Sequence, residues 1–373
     1  MVNIIVVNVF PLNVFTSMKD EKRVVLYIML TYDLDFSLSL KQKSISRQLL
    51  TNYKEQKNSL VLAVCGSGKT EIVYEVICYA LTQGHRVCFC VPRKELVKEL
   101  YERITEAFKG ITIGVLYGGR QENSDAQFIV CTMHQLYRFE NHIGFQLMIA
   151  DEVDAFPFYG NEVLQQIFNG VCVGNYIKLS ATFDEKDVTN EELLIMNRRY
   201  HNVDLPVPRC LIIPSQLQKP IALQLIKRMH KKCIIFVPRI NDVDDLTRYL
   251  MRHHICAKGV SSTHENNQQA ILQLKQNKLD VVVSTTILER GVTIEDVQVI
   301  VLNGEHNLFD SRTLIQIAGR VGRKPDHPTG HIYILTAVKT EGIDSCIKRI
   351  KALNMMNFLK PCYSSIRGFM ILL

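Results

Sequence analysis

The chain has 373 residues, of which 47% are hydrophobic and 22% charged. This length and composition fit a globular protein with two domains and exclude a disordered or fibrous chain. The net charge of +7 is uneven, because residues 1–220 carry 23 basic and 24 acidic side chains whereas residues 221–373 carry 21 and 13. The excess in the second half indicates a polyanionic partner. None of the eleven cysteines forms a CxxC pair, and most lie in apolar runs, which predicts buried free thiols in a reducing cytosol.

The first 18 residues are apolar and uncharged, but Asn3, Asn8, Pro11 and Asn13 interrupt them and no basic segment precedes them. Neither a signal peptide nor a membrane span is therefore expected. We interpret residues 1–37 as an apolar leader, either poorly packed or created by a start codon upstream of the true domain. The protein is expected to be cytoplasmic, with any contact at the inner face of the membrane made through partners.

From about residue 38 onward, short apolar runs alternate with helical segments, a pattern typical of parallel β-α-β units. The apolar runs are too continuous for a sheet with one solvated face, so helices should cover both faces. In the first half we predict strands at 59–64, 86–91, 111–117, 128–132, 146–150 and 176–181, with helices at 70–81 and 94–108.

The strand at 59–64 leads through a glycine-rich turn into a helix, the context expected of a phosphate-binding loop. Glycines allow backbone amides to close around phosphate oxygens, and the helix N-terminus adds partial positive charge. We expect Lys69 to reach the β- and γ-phosphates and the Thr70 hydroxyl to coordinate Mg²⁺. Ala63 replaces the first glycine of the general pattern, which is common in helicase-type loops. The predicted nucleotide-binding residues of this loop are Val64, Cys65, Gly66, Ser67, Gly68, Lys69 and Thr70.

Three further loops each follow a predicted strand of the first half. Their hydroxyl, amide and arginine groups suit phosphates rather than base edges. We therefore predict nucleic-acid contacts at Pro92, Arg93, Gly119, Arg120 and Thr132.

The strand at 146–150 ends in Asp151-Glu152-Val153-Asp154, at the edge where parallel sheets bind ligands. We predict that Asp151 holds Mg²⁺, usually through water, and that Glu152 orients and deprotonates the attacking water. The alternative is a solvated acidic turn, which the upstream phosphate loop disfavours. About thirty residues later, Thr182 ends another strand, where its hydroxyl is expected to link the acidic motif to bound nucleic acid.

Four of the eleven prolines fall within fifteen residues, at Pro206, Pro208, Pro214 and Pro220, where the charge balance also changes. This clustering predicts an interdomain linker at 205–220. The first lobe then spans 38–204 and binds ATP, and a C-terminal lobe spans 221–373. The predicted class is α/β, with two tandem lobes built on parallel sheets and the ATP site in the cleft between the lobes.

In the second lobe we predict strands at 232–237, 280–284, 298–302 and 331–336, with a helix at 242–252. The segment after the strand at 280–284 contains Thr285 and Arg290. We expect both residues to couple the cleft to nucleic acid.

The spacing of Gln316, Arg320 and Arg323, four and then three residues apart, predicts that they share one face of a helix. Gly319 and Gly322 lie within that predicted helix, although each costs roughly 1 kcal/mol relative to alanine. Something is therefore expected to approach the backbone closely. The two arginines have few acids nearby, which makes them candidate arginine fingers for the γ-phosphate; a solvated basic face is the alternative.

Taken together, these blocks resemble superfamily 2 helicases and translocases of the DEAD/DExD-box type, and most closely the ComFA family of late-competence DNA-uptake ATPases. The resemblance covers about residue 38 to about residue 360. It implies tandem RecA-like lobes, ATP and Mg²⁺ as cofactors, Gln42 as the residue that reads adenine and Gln316 among the nucleotide-binding residues. The matching segments are AVCGSGKTE at 63–71, DEVDAFP at 151–157, TTILERGVT at 285–293, QIAGRVGR at 316–323 and PDHPTG at 325–330.

The function implied by this resemblance is an ATP-dependent motor on single-stranded DNA that helps pull incoming DNA through a membrane channel. Other competence proteins are further implied partners. One alternative is a 3′–5′ duplex-unwinding DNA helicase of the primosomal restart type. Another is a non-hydrolysing, nucleotide-gated DNA-binding module, against which Glu152 argues because such a module needs no water-activating base.

The sequence departs from the family in one respect. Members usually carry a four-cysteine zinc module before the ATPase core, but the first cysteine here is Cys65, inside the phosphate loop. We therefore predict no structural zinc, and we place the apolar leader where that module would lie.

Overall fold

The computed structural model describes residues 30–140, 143–182, 190–261, 267–285 and 294–356. These residues form two compact units: residues 30–62 with 68–196, and residues 63–67 with 197–356. Each unit is built on one sheet of mainly parallel strands, so the predicted α/β class is confirmed. Residues 1–29 of the predicted leader and the predicted contact Arg290 lie outside the described residues.

The first sheet consists of β1 (Ser59–Ala63), β2 (Val87–Val91), β3 (Ile113–Tyr117), β4 (Arg120–Glu122), β5 (Phe128–Thr132), β6 (Phe145–Asp151), β7 (Cys172–Ser180) and β8 (Glu192–Met196). Their spatial order is β4-β3-β5-β2-β6-β7-β1-β8. The strands from β3 to β1 in this order pair in parallel, and β4 pairs with β3 in the antiparallel direction. Every residue of β1, β2 and β5 is buried, as continuous apolar runs predict.

The helices of the first unit are α1 (Leu40–Lys54), α2 (Tyr74–Thr82), α3 (Lys94–Ala107) and α4 (Glu162–Val171). Short 3₁₀ helices, Glu71–Val73 and Met133–Phe139, follow β1 and β5. A capping box at Ser39 and Gln42 begins α1, because each side chain accepts the other residue's backbone N–H. The buried residues of α3, Val97, Leu100, Ile104 and Ala107, recur at helical spacing and pack against the sheet.

The second sheet consists of β9 (Arg209–Ile212), β10 (Cys233–Phe236), β11 (Ala257–Val260), β12 (Val281–Ser284), β13 (Gln298–Val301) and β14 (Ile332–Thr336). Their order is β11-β12-β10-β13-β14-β9, and all five neighbouring pairs are parallel. The helices are α5 (Ser215–Met229), α6 (Ile240–Arg252), α7 (Asn267–Lys275), α8 (Ser311–Ala318) and α9 (Glu341–Met355). Across the described ranges, no helix is both long and apolar enough to cross a membrane.

The segment 205–220, predicted as a linker, contributes regular structure to the second unit. Residues 209–212 form the edge strand β9, and α5 begins at Ser215. Pro208 immediately precedes β9 and Pro214 occupies the N-cap position of α5, where a missing N–H removes no bond from a strand or helix. Pro208 and Pro214 thus lie at the starts of a strand and a helix, and Pro220 lies within α5. The bounds of the linker stay a prediction.

Candidate nucleotide site

The phosphate loop has the backbone that its glycines predict. Gly66 and Gly68 adopt φ angles of +80° and +70°, a left-handed conformation that side chains disfavour. Within this turn, the N–H of Ser67 donates to the carbonyl of Val64 at 3.1 Å. A Cβ at position 68 would also collide with the side-chain amide of Gln42. The positive φ and the packed side chain of Gln42 together favour a glycine at position 68.

Gln42 joins the start of α1 to the phosphate loop. Its Oε1 accepts the N–H of Ser39 at 2.8 Å, and its Nε2 donates to the carbonyl of Gly68 at 3.3 Å. With 2% of its surface exposed, Gln42 is a buried bridge between the helix cap and the loop. The sequence implied an adenine contact for this residue, and that role stays a prediction.

Lys69 and Asp151 form the central ion pair of the site. The Nζ of Lys69 lies 2.6 Å from the Oδ1 of Asp151, which is the last residue of β6. Burial by itself lowers the pKa of Lys69, but the carboxylates of Asp151 and Glu152 outweigh burial and raise that pKa. Burial raises the pKa of Asp151, and the Lys69 ammonium opposes that rise. The structure thus brings together the predicted phosphate-binding and Mg²⁺-binding residues.

Glu152 has a backbone conformation that is unusual for a side-chain-bearing residue. Its φ is +55°, and its N–H donates to the Oδ1 of Asp151 at 2.6 Å. Such left-handed residues cluster at functional sites because the surrounding structure has to hold them there. Strand β6 therefore ends at Asp151, and the chain turns at Glu152.

Asp154 connects the acidic motif to the end of β7. Its Oδ2 accepts a 2.6 Å hydrogen bond from the Oγ1 of Thr182. Both side chains are buried, with 5% of Asp154 and 3% of Thr182 exposed. The N–H of Thr182 also donates to the Oγ of Ser180 at 3.1 Å, which fixes the turn that carries the hydroxyl. The Thr182 hydroxyl therefore contacts the acidic motif directly, and its expected link to nucleic acid stays a prediction.

Arg103 is a neighbour of the site that the sequence reasoning missed. Arg103 belongs to α3. Its Nη2 lies 3.5 Å from the Oγ1 of Thr70, and its Nη1 lies 3.7 Å from the Oε1 of Glu71. The available signal was an arginine on the otherwise apolar face of α3 that buries Leu100 and Ile104. Arg103 therefore places a positive charge beside the residue expected to bind Mg²⁺.

The oxygen groups present fit a nucleotide-bound Mg²⁺ ion. Mg²⁺ prefers hard oxygen ligands and usually combines one or two protein groups with phosphates and water. The Thr70 hydroxyl and the Asp151 carboxylate are such groups, and they flank Lys69 on the loop and the strand end. Within the described ranges, no three His, Cys, Asp or Glu side chains cluster as metal ligands would. The statement on zinc stays a prediction.

The residues predicted to contact nucleic acid lie where their strands end. Arg93 is the N-cap of α3 directly after Pro92, and Thr132 closes β5. Gly119 has a φ of +96° in the exposed turn before β4. Arg120 begins β4 and forms two 2.8 Å hydrogen bonds with Glu122, which lower the pKa of that carboxylate. The guanidinium of Arg120 is therefore already engaged by an acid, a partner that the sequence reasoning did not anticipate.

The helix predicted to carry both arginines ends before them. In the second unit, α8 stops at Ala318 and Gly319 is its C-cap. Gly322 then adopts a φ of +70°, which no α-helix accommodates. The prediction that Gln316, Arg320 and Arg323 share one helix face is therefore wrong, because the two glycines terminate the helix.

The residues of this turn are nevertheless tightly held. Arg320 is only 2% exposed, and the Nε of Arg323 donates to the carbonyl of Gly319 at 2.9 Å. Gln316 is buried within α8, and its Oε1 accepts a 3.2 Å contact from the Sγ of Cys65, which belongs to the same unit. In the second sheet, Thr285 directly follows β12. Its carbonyl accepts a hydrogen bond from the Oγ of Ser284 at 2.8 Å.

Arg199 is the second residue that the sequence reasoning missed. Its guanidinium is buried and donates to the carbonyls of Gly322, of Gly319 at 3.4 Å and of Cys65 at 3.3 Å. Burial, together with the charge of Arg323, lowers the pKa of Arg199 to about 10. No motif spacing marks Arg199, since its partners are backbone carbonyls that only the fold brings together.

Comparison with known proteins agrees with this geometry. Residues 35–185 match the family described as type III restriction enzyme, res subunit, and residues 217–325 match the helicase conserved C-terminal domain. The solved structure of S. cerevisiae Dbp5 bound to RNA and ADP BeF3 is 17% identical, with a TM-score of 0.59 over 85% of this chain and 92% of that chain. At that identity the likeness establishes the fold alone, that of tandem RecA-like domains.

Sequence relatives narrow the family further. The competence protein ComFA of Bacillus subtilis (strain 168) is 32% identical over 354 residues, which cover 90% of this chain and 75% of the relative. The ComFA of Streptococcus pneumoniae (strain ATCC BAA-255 / R6) is 33% identical over 336 residues, which cover 85% and 76%. The chain therefore belongs to the ComFA family of superfamily 2 helicase-like proteins.

Proposed function

We propose that this protein is a Mg²⁺-dependent ATPase that moves along single-stranded DNA and drives DNA uptake during competence. The observation that carries the proposal is the Lys69–Asp151 ion pair, with Glu152 beside it and a glycine cradle before it. The names of the two relatives support the competence role. The positive excess of the second half supports a polyanionic partner.

The ion pair explains how nucleotide binding would engage both partners. Lys69 is held by a carboxylate that competes with phosphate oxygens for the same ammonium, and its raised pKa keeps it charged at neutral pH. When Lys69 turns to the phosphates, Asp151 becomes available as an oxygen ligand together with Thr70. Mg²⁺ bound there would neutralise charge that develops on the transferring phosphoryl group.

Glu152 is our proposed general base. Its carboxylate follows Asp151 directly, and a base has to lie within hydrogen-bond reach of the water from which it takes a proton. We assign γ-phosphate sensing to Arg320 and Arg323, whose guanidiniums supply positive charge to a transition state that is rich in anionic oxygens.

The Thr182–Asp154 bond is our proposed coupling element. It ties the end of β7 to the acidic motif, so a nucleic acid that displaced the turn at Ser180–Thr182 would also move Asp154. We assign backbone contacts with the nucleic acid to the loops that contain Arg93, Thr132 and Thr285. Contacts of this kind give salt-sensitive binding with little sequence preference.

The experiment is to measure phosphate release from the full chain with single-stranded DNA, duplex DNA, RNA or no nucleic acid. Displacement of streptavidin from a biotinylated single strand, and strand separation on a forked duplex, are measured in parallel. We expect stimulation and streptavidin displacement with single-stranded DNA, and little strand separation. Efficient strand separation would favour the duplex helicase instead.

Two variants test the site. Lys69→Ala should abolish turnover, and Glu152→Gln should abolish it while ATP binding is retained, because the amide keeps the shape and loses only the base. If Glu152→Gln left DNA-stimulated phosphate release unchanged, the catalytic assignment would be wrong. Binding of DNA that responds to ATP without any phosphate release would indicate a nucleotide-gated binding module.

A further inference from the structure

The second sheet ends at a strand with an open side. Strand β9 pairs with β14 in parallel, from Arg209 opposite Tyr333 to Ile212 opposite Thr336. It is the last strand in the order of that sheet, and no other described strand lies beyond it. Ile212 is 65% exposed. Such an edge presents a template on which another extended chain can pair.

The direction of the backbone groups follows from the ladder. The N–H of Ile213 donates to the carbonyl of Thr336 at 2.7 Å, so the odd-numbered residues here face β14. Because successive residues of a strand alternate in direction, Cys210 and Ile212 point their N–H and C=O groups to the open side. These groups form no backbone hydrogen bond among the described residues.

A cavity of about 640 Å³ borders this edge. Its lining combines the apolar residues Val207, Ile212 and Ile347 with the basic residues Arg209 and Lys351, and Ile347 and Lys351 lie one turn apart on α9. The cavity can therefore receive both apolar and acidic side chains of a strand laid along β9.

The positive charges at this cavity are only partly compensated. Lys339 also lines it and pairs with Asp344, whereas Arg209 and Lys351 have no ion-pair partner among the described residues. Two uncompensated cations beside free backbone donors and acceptors select for carboxylates on an extended chain. A nucleic-acid backbone fits less well, because phosphodiesters accept hydrogen bonds but donate none to the outward carbonyls.

We propose that the open edge of β9 is a docking site for a partner protein, which adds an extended segment of acidic and apolar residues as a seventh strand. The backbone of the segment pairs with Cys210 and Ile212. Its carboxylates lie against Arg209 and Lys351, and its apolar side chains enter the cavity beside Ile347. This surface is independent of the nucleotide-site residues, so the proposal stands or fails separately from the proposed function.

Binding of a fluorescein-labelled octapeptide to the full chain is followed by anisotropy. In this peptide, pairs of glutamates alternate with pairs of valines, so that each face of the extended strand carries both residue types. We expect saturable binding, which weakens at least about tenfold in the double variant Arg209→Glu/Lys351→Glu, because the rim charges are reversed. Ile212→Pro should weaken binding similarly, since it removes an outward N–H without touching the ladder to β14. ATP turnover should match that of the unchanged chain in both variants.

Two control peptides and one competitor complete the test. A lysine–valine octapeptide and a backbone N-methylated glutamate–valine octapeptide should bind at least about tenfold more weakly. Equal binding of either control, or unchanged binding in the charge-reversed chain, would overturn the proposal. Displacement of the peptide by a single-stranded oligonucleotide would assign the cations to nucleic acid, and a dimer that Ile212→Pro disrupts would assign the edge to a second copy; either result overturns it as well.

Discussion

Replacing Thr182 with valine tests the buried contact that joins the acidic motif to β7. Valine has nearly the shape of threonine, so the change removes the hydroxyl and leaves the packing in place. The Oδ2 of Asp154 then loses a 2.6 Å donor in a buried position. Hydrogen bonds to charged groups contribute about 1.5 to 3 kcal/mol, so we expect the first unit to lose about 2 kcal/mol of its free energy of unfolding.

The cysteines allow this loss to be measured in each unit separately. Cys88, Cys90 and Cys131 are buried free thiols of the first unit, and Cys233 and Cys346 are buried free thiols of the second. Pulsed thiol labelling across a urea gradient, read by peptide mass spectrometry, therefore reports two unfolding transitions in one experiment. With a urea dependence of about 2 kcal/mol per molar, the loss should lower the midpoint of the first three thiols by about 1 M.

Thr182→Ser is the matched control, because it keeps the hydroxyl and removes only the methyl group. It should retain most of the midpoint that the valine variant loses. Equal shifts for serine and valine would refute the hydrogen-bond argument and point to the lost methyl packing instead. A shift of the two thiols in the second unit would equally refute it, since the contact lies wholly in the first unit.

Three further changes give distinct readouts. Lys178→Met should cost the first unit about 2 to 3 kcal/mol, because it removes the ammonium that lies 2.8 Å from the buried carboxylate of Glu191, which keeps the Tyr176 hydroxyl as a donor. The same labelling checks this, and Lys178→Arg should lose far less. Burial lowers the pKa of His201, so the unfolded chain binds the proton more tightly and the stability of the second unit should fall as pH drops below about 6.5. His201→Gln should flatten that dependence between pH 7 and pH 5, and an unchanged slope would exclude His201 as its source. Gly68→Ala should greatly weaken binding of a fluorescent ADP analogue, because φ is +70° and an added Cβ meets the side chain packed over the loop, whereas Gly170→Ala, where a Cβ meets nothing within 4 Å, should bind it normally.

The central strands could be predicted from the sequence because they are continuous runs of mostly apolar residues. Strand β5 occupies the predicted residues 128–132, and β2 differs by one residue at its start. The shorter strands β4, β8, β9 and β11 were not predicted. They are three to five residues long and partly exposed, so burial marks them less clearly than it marks the central strands.

The first half of the site was accessible to sequence reasoning for a similar reason. Asp151 ends β6, Thr182 lies two residues beyond β7, and Lys69 lies in the loop that follows β1; parallel strands bring such ends to one edge. Arg103 and Arg199 were not predicted from the sequence, because neither belongs to a motif with regular spacing. Their relevant partners are a hydroxyl and backbone carbonyls, which carry no sequence signature.

The end of α8 shows why a regular spacing of Gln316, Arg320 and Arg323 did not predict their geometry. In a continuing helix, the carbonyl of Gly319 would accept the backbone N–H of Arg323. The helix stops instead, and the same carbonyl accepts the side-chain Nε of Arg323 at 2.9 Å and the guanidinium of Arg199 at 3.4 Å. Positive side chains at a helix C-terminus are stabilised by its dipole and satisfy its last carbonyls. Arg323 therefore has a capping role that would compete with the proposed γ-phosphate sensing. Arg323→Ala should lower stability as well as turnover, and only a loss of turnover beyond the loss of folded protein reports on γ-phosphate sensing.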